Sequence, residues 1–151
     1  MMKELIKEII TDPMKLKIPC RPIGKLQNNA LLDEIVMYLT DTYKANQKRC
    51  LGLAANQIGY QKRVILVRIT QGFVIMINPV IVPSLIHGRI TKKENCLSFP
   101  GQVFRVKRYK RIKVIYHPYT KEPVPLQTHK YTGLAARIVQ HEVDHLNGVL
   151  R

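Results

Sequence analysis

Gln140-His141-Glu142-Val143-Asp144-His145-Leu146-Asn147-Gly148 is the stretch on which the reading of this chain turns. On a helix, a His-Glu-x-x-His run sets both imidazoles on one face, one turn apart, where they can grip a single metal ion. Glu142 then stands beside any water activated there and can take its proton. A catalytic centre of this kind uses three protein ligands and leaves one position open. Only Leu146 to Arg151 follow the second histidine, and none offers an ordinary side-chain ligand, so the third must lie upstream.

The spacing predicts a final helix starting near Thr132, whose hydroxyl can cap the first turn, and stopping at Gly148. Leu134, Ile138, His141, Glu142 and His145 share its inward stripe, while Arg137, Gln140, Asp144 and Asn147 fall on another. Two imidazoles and a carboxylate on a buried stripe are costly unless partnered, and a metal ion removes that cost.

Working outward, Leu31, Leu32, Ile35, Val36 and Leu39 mark an amphipathic helix from about Asn28 to Lys48. The pattern beyond Gly52 is that of strands: Arg63 to Ile69, Phe73 to Asn78 after a Gln71-Gly72 turn, and a segment before Gly88. Phe104 to Lys107, Arg111 to His117 and Pro123 to His129 read as further strands. Asp12-Pro13 and Pro19 to Pro22 give an extended, turn-rich opening. The expected class is α+β, with short antiparallel strands packed around a C-terminal metal-binding helix, in a single domain over residues 1–151.

No apolar run approaches the roughly 20 residues of a membrane-spanning helix, which excludes a helical membrane protein. Acidic residues within Met1 to Ile10 argue against a signal or transit peptide, so the chain is expected in the cytoplasm. Three cysteines are too few for a disulfide framework and suit a reducing compartment. The net charge of +15 comes from Lys and Arg spread along the chain, with Arg105, Lys107, Arg108, Lys110, Arg111 and Lys113 crowded into nine positions. Apolar Val106, Ile112, Val114 and Tyr116 alternate with these cations, so a strand or hairpin here carries one basic and one apolar face. That basic face reads either as a solvated surface or as a face for nucleic acid such as ribosomal RNA.

For the third ligand Cys96, in Glu94-Asn95-Cys96-Leu97-Ser98, is the leading candidate, because a thiolate is a soft, charged donor. Core packing is the competing reading for it, as for Cys20 and Cys50. His87, His117 and His129 read as surface or hydrogen-bonded residues, and Asp144 as a partner of Arg108 rather than a ligand.

Three segments, in order, resemble the peptide deformylase family. Gly52-Leu53-Ala54-Ala55-Asn56-Gln57 is similar to its first motif, Gly-x-Gly-x-Ala-Ala-x-Gln. Glu94-Asn95-Cys96-Leu97-Ser98 is similar to Glu-Gly-Cys-Leu-Ser, and the 140–148 stretch to Gln-His-Glu-x-Asp-His-Leu-x-Gly. The resemblance implies Cys96, His141 and His145 as metal ligands and Glu142 as general base, then acid. It implies that Gln57 and the backbone N–H of Leu97 bind an oxyanion. Leu51, Gly52, Ile138 and the aliphatic part of Glu94 are expected to line a methionine pocket. It further implies Fe(II) in the cell, replaceable by nickel, cobalt or zinc, and formyl-Met nascent chains as substrate. The chain is similar to short members, phage-carried ones included, that lack a C-terminal extension for ribosome docking; the basic 105–113 stretch is a candidate substitute. A monomer suffices, because one chain supplies a whole site.

Two departures stand out. Cys50 occupies the first motif's leading Gly position, and Asn95 the second motif's Gly position, where it is expected to keep a left-handed conformation. Two other readings compete: a different metallohydrolase with another third ligand, and a basic RNA- or ribosome-binding protein without activity.

Overall fold

The structure, a computed structural model, describes residues 5–151, so Met1 to Glu4 of the N-terminal stretch lie outside it. In chain order the elements are α1 (Pro13–Leu16), α2 (Ala30–Asn46), β1 (Gly52–Ala54), β2 (Val64–Ile69), β3 (Gly72–Pro83), β4 (Arg89–Glu94), β5 (Phe104–Tyr109), β6 (Arg111–Pro118), β7 (Gln127–Thr132) and α3 (Gly133–Leu146). Short 3-10 turns cover Ala55–Ile58 and Leu85–His87. A five-stranded sheet runs β1-β2-β3-β6-β7, and β4 and β5 form a separate two-stranded sheet. All pairings between these strands are antiparallel. The class is therefore α+β, as the sequence predicts.

β2 explains how the core is divided. Val64, Ile65, Leu66 and Val67 are all fully buried, because helices cover both faces of this strand. Ile65 and Val67 point to a cluster with Ala136, Ile138, Val139, Val143 and Leu146 of α3. Val64 and Leu66 point the other way, to Leu32, Ile35, Val36 and Leu39 of α2. Each such side chain removed from water contributes about 1.5–3 kcal/mol. α3 is thus clamped against a sheet whose reverse face is itself packed. Asn29 caps α2, its Oδ1 accepting from the Leu32 N–H at 3.1 Å.

Several expectations are corrected. The extended opening contains α1, whose first turn Asp12 caps through the Met14 N–H at 2.9 Å. β3 does not stop at Asn78. It continues to Pro83 through a register shift between Ile77 and Val80, where Asn78 takes φ 51°. The β segment expected before Gly88 is this second half of β3, and a 3-10 turn at Leu85–His87 follows it. The Pro123–His129 strand starts instead at Gln127 and runs into the base of α3. Thr132 sits at the N-cap of α3 but makes no side-chain capping bond; the turn is made by Gly133 at φ 58°. β4 was not foreseen, because Arg-Ile-Thr-Lys-Lys-Glu has little apolar content to mark it. β5 and β6 do not form one hairpin: β5 pairs with β4 and β6 with β3 and β7. Nor is the basic run all on one face, since Arg108 is in phase with Val106 and only 4% exposed.

Candidate metal centre and its cleft

α3 brings His141 and His145 one turn apart, with ring centroids separated by 5.0 Å. The loop after β4 brings Cys96 to the same point. Cys96 Sγ lies 3.2 Å from His145 Nε2, and donor atoms of Cys96, His141 and His145 all fall within 4.8 Å of one another. Donors bound to one tetrahedral ion stand roughly 3.3–3.6 Å apart, so a small contraction suffices for a common ion. The other two cysteines are elsewhere. Cys20 is in the core, Cys50 is half-buried, and burial pushes both thiols up to about 11.

The electrostatics also fit a cation. Burial works against a charged His141 ring, but hydrogen bonds to Cys96 and Glu94, with the nearby Glu142 and Cys96 charges, raise it to about 10. Burial, with the positive His141 and Arg108, lowers His145 to about 3. The surroundings of His141 thus favour positive charge at the point where a dication would sit. Glu142 is buried, its Oε2 has no hydrogen-bond partner among the described residues, and burial raises it to about 7 against the opposing pull of His141 and Arg108.

Supporting groups hold these side chains in place. His141 Nδ1 meets Glu94 Oε1 at 2.9 Å, which turns Nε2 toward the cluster. Glu94 in turn accepts from Arg108 Nε at 3.1 Å and Nη2 at 2.8 Å, and Arg108 Nη1 donates to Asp144. Burial disfavours the Glu94 carboxylate, yet the bonds from His141 and Arg108 outweigh it and hold the group at about 2. Gln57 Oε1 accepts from the Ala54 N–H at 2.9 Å, while Nε2 donates to Ser98 Oγ at 3.1 Å and faces Cys96 Sγ at 3.5 Å. No hydrogen bond among the described residues engages the Leu97 N–H. Asn56 Nδ2 donates to the His145 carbonyl at 2.7 Å and ties the 3-10 turn to the end of α3. Gln140 pairs with both backbone groups of Tyr109 at 2.9 Å, so it steadies β5.

A cleft of about 240 Å³ opens over the cluster. Leu51, Gly52, Gln57, Glu94, Cys96, Leu97, Ile138, His141 and Glu142 all line it; His145 lies beneath, 3% exposed. At Gly52 a Cβ would fall 2.9 Å from the Leu66 carbonyl oxygen and 3.0 Å from Glu142 Cγ and Ile138 Cγ2, so β1 and α3 approach too closely for any side chain there. Arg137, on a different stripe from the histidines by helical spacing, lines the cleft as well. Among the described residues the left-handed non-glycine ones are Asn28 and Asn78, so neither Asn95 nor Cys50 takes a positive φ, contrary to expectation for Asn95. The Asp144–Arg108 pairing expected from the sequence is present. The Arg108–Glu94 contact, Ser98 and Asn56 were not singled out, and only the even spacing of Arg108 from Val106 on β5 hinted that Arg108 turns inward. His87 and His129 are hydrogen-bonded as expected, to Ser84 and Tyr116.

The sequence profile of polypeptide deformylase matches residues 6–151. The chain belongs to the polypeptide deformylase family. It is 35% identical over 151 residues to a peptide deformylase of Clostridium beijerinckii, covering 97% of this chain and 99% of that one. A peptide deformylase of Pelotomaculum thermopropionicum is 46% identical over 137 residues, covering 89% and 81% respectively. Among solved structures, a Met-Ala-Ser-bound class I type b peptide deformylase from Acinetobacter baumannii superposes with a TM-score of 0.83. It is 28% identical and covers 98% of this chain and 97% of its own. As a deformylase-family member, the chain carries a Cys-His-His group able to hold a metal. No described helix is long and apolar enough to cross a membrane.

Proposed function

We propose that this chain hydrolyses the N-formyl group from formyl-Met at the start of nascent polypeptides, releasing formate. One observation carries the reading: the Cys96, His141 and His145 donors converge beneath a cleft that Glu142 and Gln57 also line. A divalent cation held by those three residues supplies Lewis acidity, lowering the pKa of water from about 16 towards 7 and polarising a carbonyl.

The chain's own groups do the rest. Glu142 takes the proton of the attacking water as its oxygen bonds to the formyl carbon. Gln57 Nε2 and the Leu97 N–H donate to the oxyanion, each contributing about 3–4 kcal/mol. Collapse breaks the formyl C–N bond, and Glu142 returns its proton to the leaving methionine nitrogen. Burial pushes that carboxyl above the ordinary carboxylate range, which favours its holding the proton between the two halves of the transfer. Leu51, Gly52, Ile138 and the methylenes of Glu94 form the methionine pocket.

The native metal is Fe(II), with nickel, cobalt or zinc able to replace it; a thiolate beside Fe(II) makes the enzyme sensitive to oxidation. Residues 1–151 act as one catalytic domain, as a monomer in the cytoplasm, since one chain provides every group of the site. Elemental analysis of an anaerobic preparation, combined with formate release from formyl-Met-Ala-Ser, tests the reading. No formate above background from metal-loaded protein would overturn it.

A second contact, with ribosomal RNA, is favoured by the outer face of β4–β5. There Lys93 lies directly opposite Arg105 and Thr91 opposite Lys107, with Arg89 further along and no carboxylate on that face. Directly opposed like charges destabilise a strand pair, and phosphates would relieve them.

A further inference from the structure

The mouth of the cleft is ringed by cations from three different elements: Arg49 just beyond α2, Lys93 on β4 and Arg137 on α3. Arg49 donates to Asn46 Oδ1 at 2.9 Å, and none of the three forms an ion pair among the described residues. The carboxylates that line the same cleft cannot neutralise them. Glu94 has both oxygens taken by Arg108 and His141, and Glu142 is 4% exposed. The opening therefore presents a positive lip around a wall that is apolar at Leu51, Leu134 and Ile138.

A chain with a net charge of +15 carries cations on many faces. These differ in converging on the opening that substrate must cross. A formyl group is neutral and a methionine side chain apolar, so neither accounts for the lip. The parts of a formyl-Met peptide that reach it are the residues after methionine. We propose that Arg49, Lys93 and Arg137 make the enzyme selective for peptides with aspartate or glutamate in the first positions after formyl-Met. This rests on the deformylase reading and adds a substrate preference to it.

The contacts are part-exposed, so each is modest and salt-sensitive. Together they should favour acidic over neutral peptides by about fivefold in kcat/KM, with a similar penalty for basic ones. Because the charges sit beyond the scissile bond, the effect should fall mainly on KM.

The test compares metal-loaded enzyme on C-terminally amidated formyl-Met-Asp-Glu, formyl-Met-Ala-Ala and formyl-Met-Lys-Lys. The proposal expects the order acidic, neutral, basic, a spread that narrows in 0.5 M NaCl, and inversion of the order in R49E/K93E/R137E. Reading ratios between peptides cancels any change in the variant's overall rate. Equal rates, a salt-independent order, or an unchanged order in the variant would overturn it. Calorimetric affinities for amidated Met-Asp-Glu and Met-Lys-Lys separate the two readings. If no formyl peptide is cleaved, the deformylase reading falls, and equal affinity of the two products sinks the charge preference independently.

Discussion

Arg108→Leu should damage both the stability of the fold and its hold on metal. Arg108 is 4% exposed, with two bonds to Glu94 at 2.8 and 3.1 Å and a third to Asp144. Leucine strands Glu94 Oε2 without a partner and leaves Oε1 with His141 alone. Removing one member of a buried ion pair costs about 3–5 kcal/mol. Asp144 is 23% exposed and recovers water, so the lower end, about 3 kcal/mol, applies here. For a chain of this size that is a fall in Tm of about 6–12 °C, read by calorimetry. His141 loses the charge balance of its partner, so metal affinity in chelator competition should drop about 10–100-fold. The acid limb gives a third reading. Glu94 is held at about 2 against an ordinary 4.5, so its contribution is complete above 4.5 and vanishes as pH falls toward 2. Without Arg108 its carboxyl rises, and the metal-free protein should lose less stability over that interval. The double variant Glu94→Gln/Arg108→Leu should be less destabilised than the sum of the single changes. A variant melting within about 1 °C of the parent with unchanged metal affinity would refute the argument.

Glu142→Ala should bind metal at full stoichiometry yet lose about 10²–10⁴-fold in kcat; full activity would remove it as the base. Gly52→Ala drives a methyl into the Leu66 carbonyl, Glu142 and Ile138. It should cost about 1–3 kcal/mol in denaturant unfolding and lower kcat as Glu142 is displaced, and a parent-like kcat would contradict that contact. Gly148→Ala meets the Lys17 carbonyl from a left-handed φ of 72°, so urea melts should register a loss of more than about 1 kcal/mol. Arg105→Glu/Lys107→Glu should weaken RNA binding and flatten its salt slope more than Lys44→Glu/Lys48→Glu, an equal charge change in the last turn of α2 and just beyond it; equal losses would leave the β4–β5 face without a special role.

What was legible in the sequence follows the periods of its elements. α2 and α3 alternate buried and exposed residues every three or four positions, and β2 opens on the apolar run Val64 to Val67, so their existence was visible. The two candidate ligand histidines came with α3 because their imidazoles lie in one turn of one helix. β4 was hidden because its inward residues are Ile90 and Glu94, with Lys92 exposed between them, and a carboxylate facing inward looks like a solvated one until its partners are known. Those partners are contributed from 14 and 47 residues further along the chain, Arg108 and His141. No local pattern encodes such a meeting. Arg137 was not foreseen at the cleft for a related reason. It lies four residues before His141, close enough in angle to belong to either stripe, and the cleft wall built by β4 and the Cys50–Gly52 segment decides which.

Glu94 shows why site and fold cannot be separated here. Its carboxylate fixes the His141 ring, closes a buried ion pair that ties β4–β5 to α3, and borders the cleft. An apolar residue at that position could pack the two-stranded sheet against α3 as well or better, since buried ion pairs are rarely more stabilising than good apolar contacts. It could not set the imidazole's tautomer or raise its basicity as a ligand. The energy spent on desolvating Glu94 and Arg108 is therefore better understood as fixing the geometry of the metal site than as stabilising the domain. On that view Glu94→Met/Arg108→Met should melt near the parent's Tm while binding metal at least tenfold more weakly, and a variant that kept both properties would show the pair to be dispensable to each.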